Sequence, residues 1–286
     1  MLTASAIAAV LDRALEEDAP WGDVTSETLL PPGSRATAVL AAREAGVLAG
    51  IEVFAAAMHA CDAAALVEER RADGERFEAG EVLALVTGDA RAVLRAERVA
   101  LNLIQRMSGI ATETARYVSA VEGTGARIAD TRKTTPGLRV LERHAVRCGG
   151  GSNHRFSLSD AVLVKDNHLA VLTAGGRDLT EALREARSRL GHTVHFEVEV
   201  DRIDQITLVI EAGVDAILLD NFTLAELREG VRLVDGRALV DASGGVTLAT
   251  VADIAATGVD VISVGALTHS VRALDLGLDI EVGAEG

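Results

Sequence analysis

The sequence predicts an α/β protein, an incomplete (β/α) barrel preceded by a separate α+β domain. Three observations carry this. From about residue 126 onward the chain repeats a unit of short β-rich run, polar cluster and helical stretch, the pattern of parallel strands joined by crossover helices. Nearly every run ends in charged or hydroxyl side chains, and in such folds ligands bind where the strands end. Six runs are strong, too few for a regular eight-fold barrel. An open doubly wound sheet is the alternative, which strand count alone separates poorly.

Each element has its own signal. Leu2, Ile7, Val10, Leu11, Ala14 and Leu15 form a helical stripe with Asp12 and Arg13 on the other side. ATAVLAARE (36–44) and AALVEERRA (64–72) read as strands, and FEAGEVLALVTGD (77–89) as a hairpin. Residues 90–107 form a helix with Leu94, Ala100, Leu101, Ile104 and Met107 on one side and Arg91, Arg95, Arg98, Asn102 and Gln105 on the other. The arginines read as a solvated stripe, while Glu97 falls among the apolar positions and needs a partner. The barrel runs are ARIAD (126–130), AVLVK (161–165), VHFEVEV (194–200), AILLD (216–220), ALVD (238–241) and VISVG (261–265). Helical segments separate most of them, several opening on Thr as an N-cap. Residues 1–110 are expected to form the first domain, 111–269 the barrel, and 270–286 a tail packing back on the first.

Composition narrows the function. The chain has 286 residues, 49% of them hydrophobic, enough for a packed core. No apolar run approaches a membrane span, and the N-terminus lacks the basic region of a signal peptide. Cys61 and Cys148 have no metal-like or framework spacing; they are expected to be small core residues in a protein of the reducing cytoplasm. A net charge of -15 and seven large aromatic residues argue against nucleic acid or an anionic membrane as partner.

Against that charge, residues 127–165 carry eight Lys or Arg and three acids, a local net of +5. A basic island in an acidic protein points to a small anionic ligand. Arg139, Glu142, Arg143 and Arg147 recur at helical spacing and read as a solvated helix face. Arg132 and Lys133 do not fit that reading. RCGGGSNHRFSLSD (147–160) adds His154 and Arg155 behind three glycines, a turn that brings directional donors to a carboxylate or phosphate. Lys165, Asp166, Asn167 and His168 end the next run. Glu197 and Glu199, then Asp220 and Asn221, end the following two, and Glu199 and Asp220 are placed to hold sugar hydroxyls or a hydrated Mg2+. Asp241 and Ser243 precede Gly244 and Gly245, and Val264, Gly265 and Ala266 follow the last run, turns of the kind that cradle phosphate in barrels. A lyase using Lys165 or Lys133 as a Schiff-base amine and a non-catalytic phosphate-binding barrel are the other readings these residues allow.

TRKTTPGLR, GGGSNHRFSLSD, VKDNH, VEVD, LLDNF, SGGV and SVGALTHS, with GDVT, AREAGVLAG and ERVALNLIQRMSGIAT before them, resemble the quinolinate phosphoribosyltransferase family in content and order. The resemblance spans nearly the whole chain. It implies an N-terminal α/β sandwich and an incomplete barrel, in a homodimer whose active sites take residues from both subunits, with higher assembly open. The reaction it implies joins quinolinate to phosphoribosyl pyrophosphate, giving nicotinate mononucleotide, pyrophosphate and carbon dioxide, with Mg2+ as cofactor. Arg132, His154, Arg155 and Lys165 would hold the quinolinate carboxylates, with Arg98 reaching in from the partner subunit. Lys133, beside Thr131, would stand near the pyrophosphate, and Glu199 and Asp220 near the ribose hydroxyls and Mg2+. The turns Ser243–Gly244–Gly245 and Val264–Gly265–Ala266 would lie near the 5'-phosphate. Asp241 stands where the family pattern leads one to expect Glu, which leaves its contact open. A related transferase accepting another heterocycle is compatible with the same motifs.

Overall fold

The computed structural model describes residues 2–281. It forms two compact units, Met1–Ala115 with Thr134–Gly150 and Thr268–Gly286, and Arg116–Lys133 with Gly151–Leu267. Residues 282–286 of the predicted tail lie outside the described residues. Thr134–Gly150, inside the stretch read from sequence as barrel, groups with the first unit.

The first unit runs α1 (Ala4–Asp18), α2 (Val24–Leu29), β1 (Arg35–Ala42), β2 (Gly46–Val47), α3 (Ile51–Cys61), β3 (Leu66–Glu69), β4 (Arg76–Phe77), β5 (Val82–Asp89) and most of α4 (Ala90–Ala120). Thr3 caps α1 and Asp23 caps α2, each side chain accepting from backbone N–H groups of the first turn. The FEAGEV turn is not a hairpin. β4 pairs with β2, whereas β5 pairs antiparallel with β1 and β3, so the turn is a corner between two sheets. The Gly80 amide donates to Ala42 O and the Ala42 amide to Glu81 O, tying the corner to the end of β1.

The helix predicted over 90–107 continues to Ala120. Of the arginines read as a solvated stripe, Arg91 instead donates to Leu30 O, while Arg98 is mostly exposed; Arg106, further along the helix, donates to the Glu142 carboxylate and Thr268 O. Glu142 and Arg143 of α5 (Arg139–Cys148) are buried, against the expectation of a solvated face. Glu142 is held by Arg106 and by the Thr135 amide, the pairing a carboxylate needs once out of water.

The second unit adds β6 (Arg127–Ala129), β7 (Val162–Val164), α6 (Asp166–Leu172), α7 (Leu179–Ser188), β8 (Phe196–Val200), α8 (Ile203–Glu211), β9 (Ala216–Asp220), α9 (Leu224–Val234), β10 (Leu239–Ser243), α10 (Val251–Ala255) and β11 (Val261–Ser263). Beyond these, α11 (Ala266–His269) leads to β12 (Leu276–Glu281), which pairs with β1 in the order β12-β1-β5-β3. Thr223 caps α9 in a capping box with Glu226, as expected, but Asp178 rather than a Thr caps α7, and Thr250 makes no side-chain cap bond.

All six predicted barrel strands form, in one parallel sheet ordered β6-β11-β10-β9-β8-β7. The first and second strands of the set thus lie at opposite ends of the order, as in a barrel that has not closed between them. The chain between β6 and β7 bridges both: Ser152 exchanges backbone hydrogen bonds with β6, and Arg155 Nη1 donates to Ala161 O at the start of β7. The core lies between strands and helices, where Phe196, Val198, Val200, Ile217 and Leu219 are almost wholly buried.

Candidate active site

Strand periodicity places the chemistry. Phe196, Val198 and Val200 of β8 pack outward, so Glu197 and Glu199 share the opposite face. Register then sets Glu197 beside Leu163 of β7 and Ser243 beside Asp220 of β9. The resulting pocket, about 410 Å³ in volume, lies wholly within the second unit. That is within the roughly 300–1,000 Å³ usual for small-molecule sites.

Of the residues marked by the sequence, Thr131, Arg132, Lys133, His154, Arg155, Lys165, Glu199, Asp220 and Ser243 all line it, with Leu163, Leu218 and Ser263 as further walls. The lining sets five cationic or imidazole side chains with two carboxylates. Lys165 Nζ lies 2.8 Å from Glu199 Oε2, joining the two groups. Arg155 titrates below its ordinary range, first because it is partly buried and next because the Arg132 guanidinium is close. Two like charges held together in this way are arranged for an anion. Asp160 fixes the loop that carries Arg155, accepting from the amides of Phe156 and Ser157 at 2.7 and 2.8 Å.

His154 is positioned from below. Its Nε2 lies 2.9 Å from Glu197 Oε2 and 3.9 Å from Asp241 Oδ2, and its amide donates to Asp130. Burial lowers its pKa, but the Glu197 hydrogen bond and the charges of Glu197, Asp241 and Asp130 outweigh burial and raise it. The Arg155 amide points at Nδ1, 2.7 Å away, which sets the proton of the neutral ring on Nε2. Asp241 is therefore no strand-end contact. It is buried, accepts from Ser263 N and Oγ, and is pushed up to about 7, chiefly by burial and then by the Glu197 charge. The strand-end motifs do not assign Glu197 and Asp241 this role; the parity of Glu197 with Glu199 is the signal in the sequence that places Glu197 on the same face.

The glycine turns differ from one another. Gly244 has φ +95°, and a Cβ there would meet Asn221 Oδ1 at 2.2 Å. Asn221 itself adopts a left-handed φ of 58° and donates to Asp220 Oδ2 at 2.7 Å, so this close approach orients the carboxylate. Gly245 is also left-handed. Val264 contributes no amide: it is buried, and its N–H donates to Ala129 O at 2.9 Å. Gly265 and Ala266 follow it, leading into α11. Arg98 lies on α4 in the first unit, mostly exposed, its nearest acid Glu97 at 3.9 Å.

Models of the two domains of the quinolinate phosphoribosyl transferase family match residues 23–108 (N-terminal) and 110–279 (C-terminal). The chain belongs to the quinolinate phosphoribosyltransferase family. It is 44% identical to the nicotinate-nucleotide pyrophosphorylase [carboxylating] of Mycobacterium leprae (strain TN) over 277 residues, 94% of this chain and 95% of that one. Among solved structures, NadC from Streptococcus pyogenes superposes with a TM-score of 0.91 at 38% identity, covering 98% of this chain and 99% of the other. The nicotinate-nucleotide pyrophosphorylase from Francisella tularensis gives 0.90 at 33%, covering 98% of each. In this member of the quinolinate phosphoribosyltransferase family, the motif residues on six strand ends and the loop before β7 meet in one pocket.

Proposed function

We propose that this chain transfers the phosphoribosyl group of phosphoribosyl pyrophosphate to quinolinate, with loss of carbon dioxide, to give nicotinate mononucleotide in NAD biosynthesis. The observation that carries the reading is the pocket lining: His154, Arg155, Arg132, Lys133 and Lys165 share it with Glu199 and Asp220. Quinolinate brings two carboxylates and its partner a polyphosphate, and clustered cations offset their mutual repulsion in a partly desolvated site. Arg132, Arg155 and Lys165 bind the acceptor, and His154, whose two ring nitrogens are taken by Glu197 and the Arg155 amide, forms the pocket wall beside them instead of donating directly to a carboxylate. Lys133 meets the pyrophosphate, and Glu199 and Asp220 hold the ribose.

Glu199 and Asp220 are hard oxygen donors that, with substrate phosphate oxygens, suit Mg2+. Bound there, the ion would offset charge on the departing pyrophosphate. The quinolinate ring nitrogen attacks the anomeric carbon as the bond to pyrophosphate breaks, through an oxocarbenium-like state. The carboxylate next to the nitrogen then leaves as carbon dioxide, its electron pair stabilised by the cationic ring and quenched by a proton. The protein's part is positioning. A Schiff-base lyase is the weaker reading, since Lys165 is already ion-paired with Glu199. A homodimer sharing sites through Arg98, and a cytoplasmic location, belong to the same proposal. Among the described residues no helix is long and apolar enough to cross a membrane.

The purified protein, given phosphoribosyl pyrophosphate and MgCl2, is expected to use quinolinate far better than nicotinate, because nicotinate brings one carboxylate to a pocket whose clustered cations can meet two. Equal use of both acceptors would remove quinolinate from the assignment.

A further inference from the structure

The first unit holds a second cluster of reactive side chains that the transfer reaction does not use. Asp73, in the loop between β3 and β4, meets His144 and Cys148 of α5. Asp73 Oδ2 lies 2.6 Å from His144 Nε2, Cys148 Sγ lies 3.3 Å from the same nitrogen, and Sγ and Oδ2 are 3.8 Å apart.

Three features favour a metal site. His144 and Cys148 are four residues apart on a helix and therefore share a face. All three donor atoms converge on one point, whereas a Cys-His-Asp nucleophilic relay needs the thiol and carboxylate on opposite ring nitrogens. Finally, Asp73 Oδ1 accepts from the amides of Gly50 and Ile51 at 2.8 and 3.0 Å, which fixes the carboxylate with Oδ2 turned into the cluster. A tetrahedral zinc with Zn–S of ~2.3 Å and Zn–N and Zn–O of ~2.0–2.1 Å sets its ligands roughly 3.3–3.6 Å apart. The observed spacings straddle that range, and only the hydrogen-bonded His–Asp pair has to open.

We propose that Asp73, His144 and Cys148 bind a divalent cation of the zinc class, with the fourth position taken by water. Thiolate, imidazole and carboxylate together select zinc over magnesium or calcium. Binding displaces the thiol proton, so affinity falls as pH falls. The ion pins the 70–75 loop to α5, a staple inside the first unit and apart from the pocket of the second.

The test uses the full chain, stripped of metal by chelation and titrated with CoCl2 and ZnCl2. We expect a thiolate-to-cobalt charge-transfer band with intense tetrahedral visible bands at one equivalent, bleached by zinc. The chain has only two cysteines, so the source of the band is decidable. Cys148→Ser loses the band and Cys61→Ser keeps it; His144→Gln weakens zinc binding by at least the ~10–100-fold that even an outer-shell partner is worth. In the unmodified protein, ZnCl2 should bind at one equivalent with release of a proton, read by calorimetry in buffers of different ionisation enthalpy, a readout that survives if a variant misfolds. A charge-transfer band that never appears, or zinc that binds with no proton release, means the cluster is only a hydrogen-bonded triad and overturns the proposal.

Discussion

The Nε2 of His154 stands 2.9 Å from Glu197 Oε2, a layer beneath the strand ends that line the pocket. That contact makes a buried carboxylate the support of a pocket-lining imidazole, which in turn holds the Arg155 amide. Glu197→Gln should preserve packing and remove the charge that raises the His154 pKa. We expect quinolinate kcat/KM to fall by about 10–100-fold, the worth of a hydrogen bond to a charged group. The loss of quinolinate affinity on raising pH should also set in at lower pH than in the unmodified protein. A purely structural role would leave that pH profile where it is.

Asp241 gives the fold a pH dependence of unusual sign. Its ordinary pKa of 3.8 is raised to about 7 in the folded chain. Between those values the unfolded chain has lost the proton and the folded one retains it, so stability falls as pH rises through this window and levels off above it. The raised His154 adds a contribution of the same sign, complete below about 6.5 and lost as pH rises through its folded value. Asp241→Asn removes the first effect. Its melting temperature relative to the unmodified protein should improve steadily from about pH 4 to pH 7, by up to a few kcal/mol in stability. A difference independent of pH contradicts this account.

Gly244→Ala should be costly far beyond one methyl group, because φ is +95° and the new Cβ would meet Asn221 Oδ1 at 2.2 Å. Displacing Asn221 releases the Asp220 carboxylate it holds. We expect weaker binding of phosphoribosyl pyrophosphate by calorimetry with quinolinate binding to free enzyme nearly intact. Equal loss of both ligands would mean the turn supports the whole pocket instead.

Arg98 sits on α4 in the first unit, outside the set of side chains that line the pocket. If it completes a partner's site, inactive Arg98→Ala and inactive Lys165→Ala proteins should regain activity on subunit exchange, since one site per heterodimer then has both residues. Demonstrated exchange with no activity returning places Arg98 in cis or outside the reaction.

The sequence by itself determined the parallel strands and their ligand-facing ends. Period-two alternation in FEVEV assigns Glu197 and Glu199 to one face whatever the chain does elsewhere, and the order of runs makes the strands parallel. Side chains at successive strand ends then had to meet, which is why nine of the marked residues line one pocket. Tertiary structure decided what depends on partners distant in sequence. β5 could not be read as the neighbour of β1 and β3 rather than of β4, because a turn signal does not say which edges pair. Glu142 looked like a solvated helix residue until Arg106, 36 positions away, was brought beside it. Likewise Asp241 became a buried acid because β11 set Ser263 against it and the loop before β7 delivered His154. Periodicity is local and survives any packing, whereas the partner of a buried charge exists only once the chain has folded.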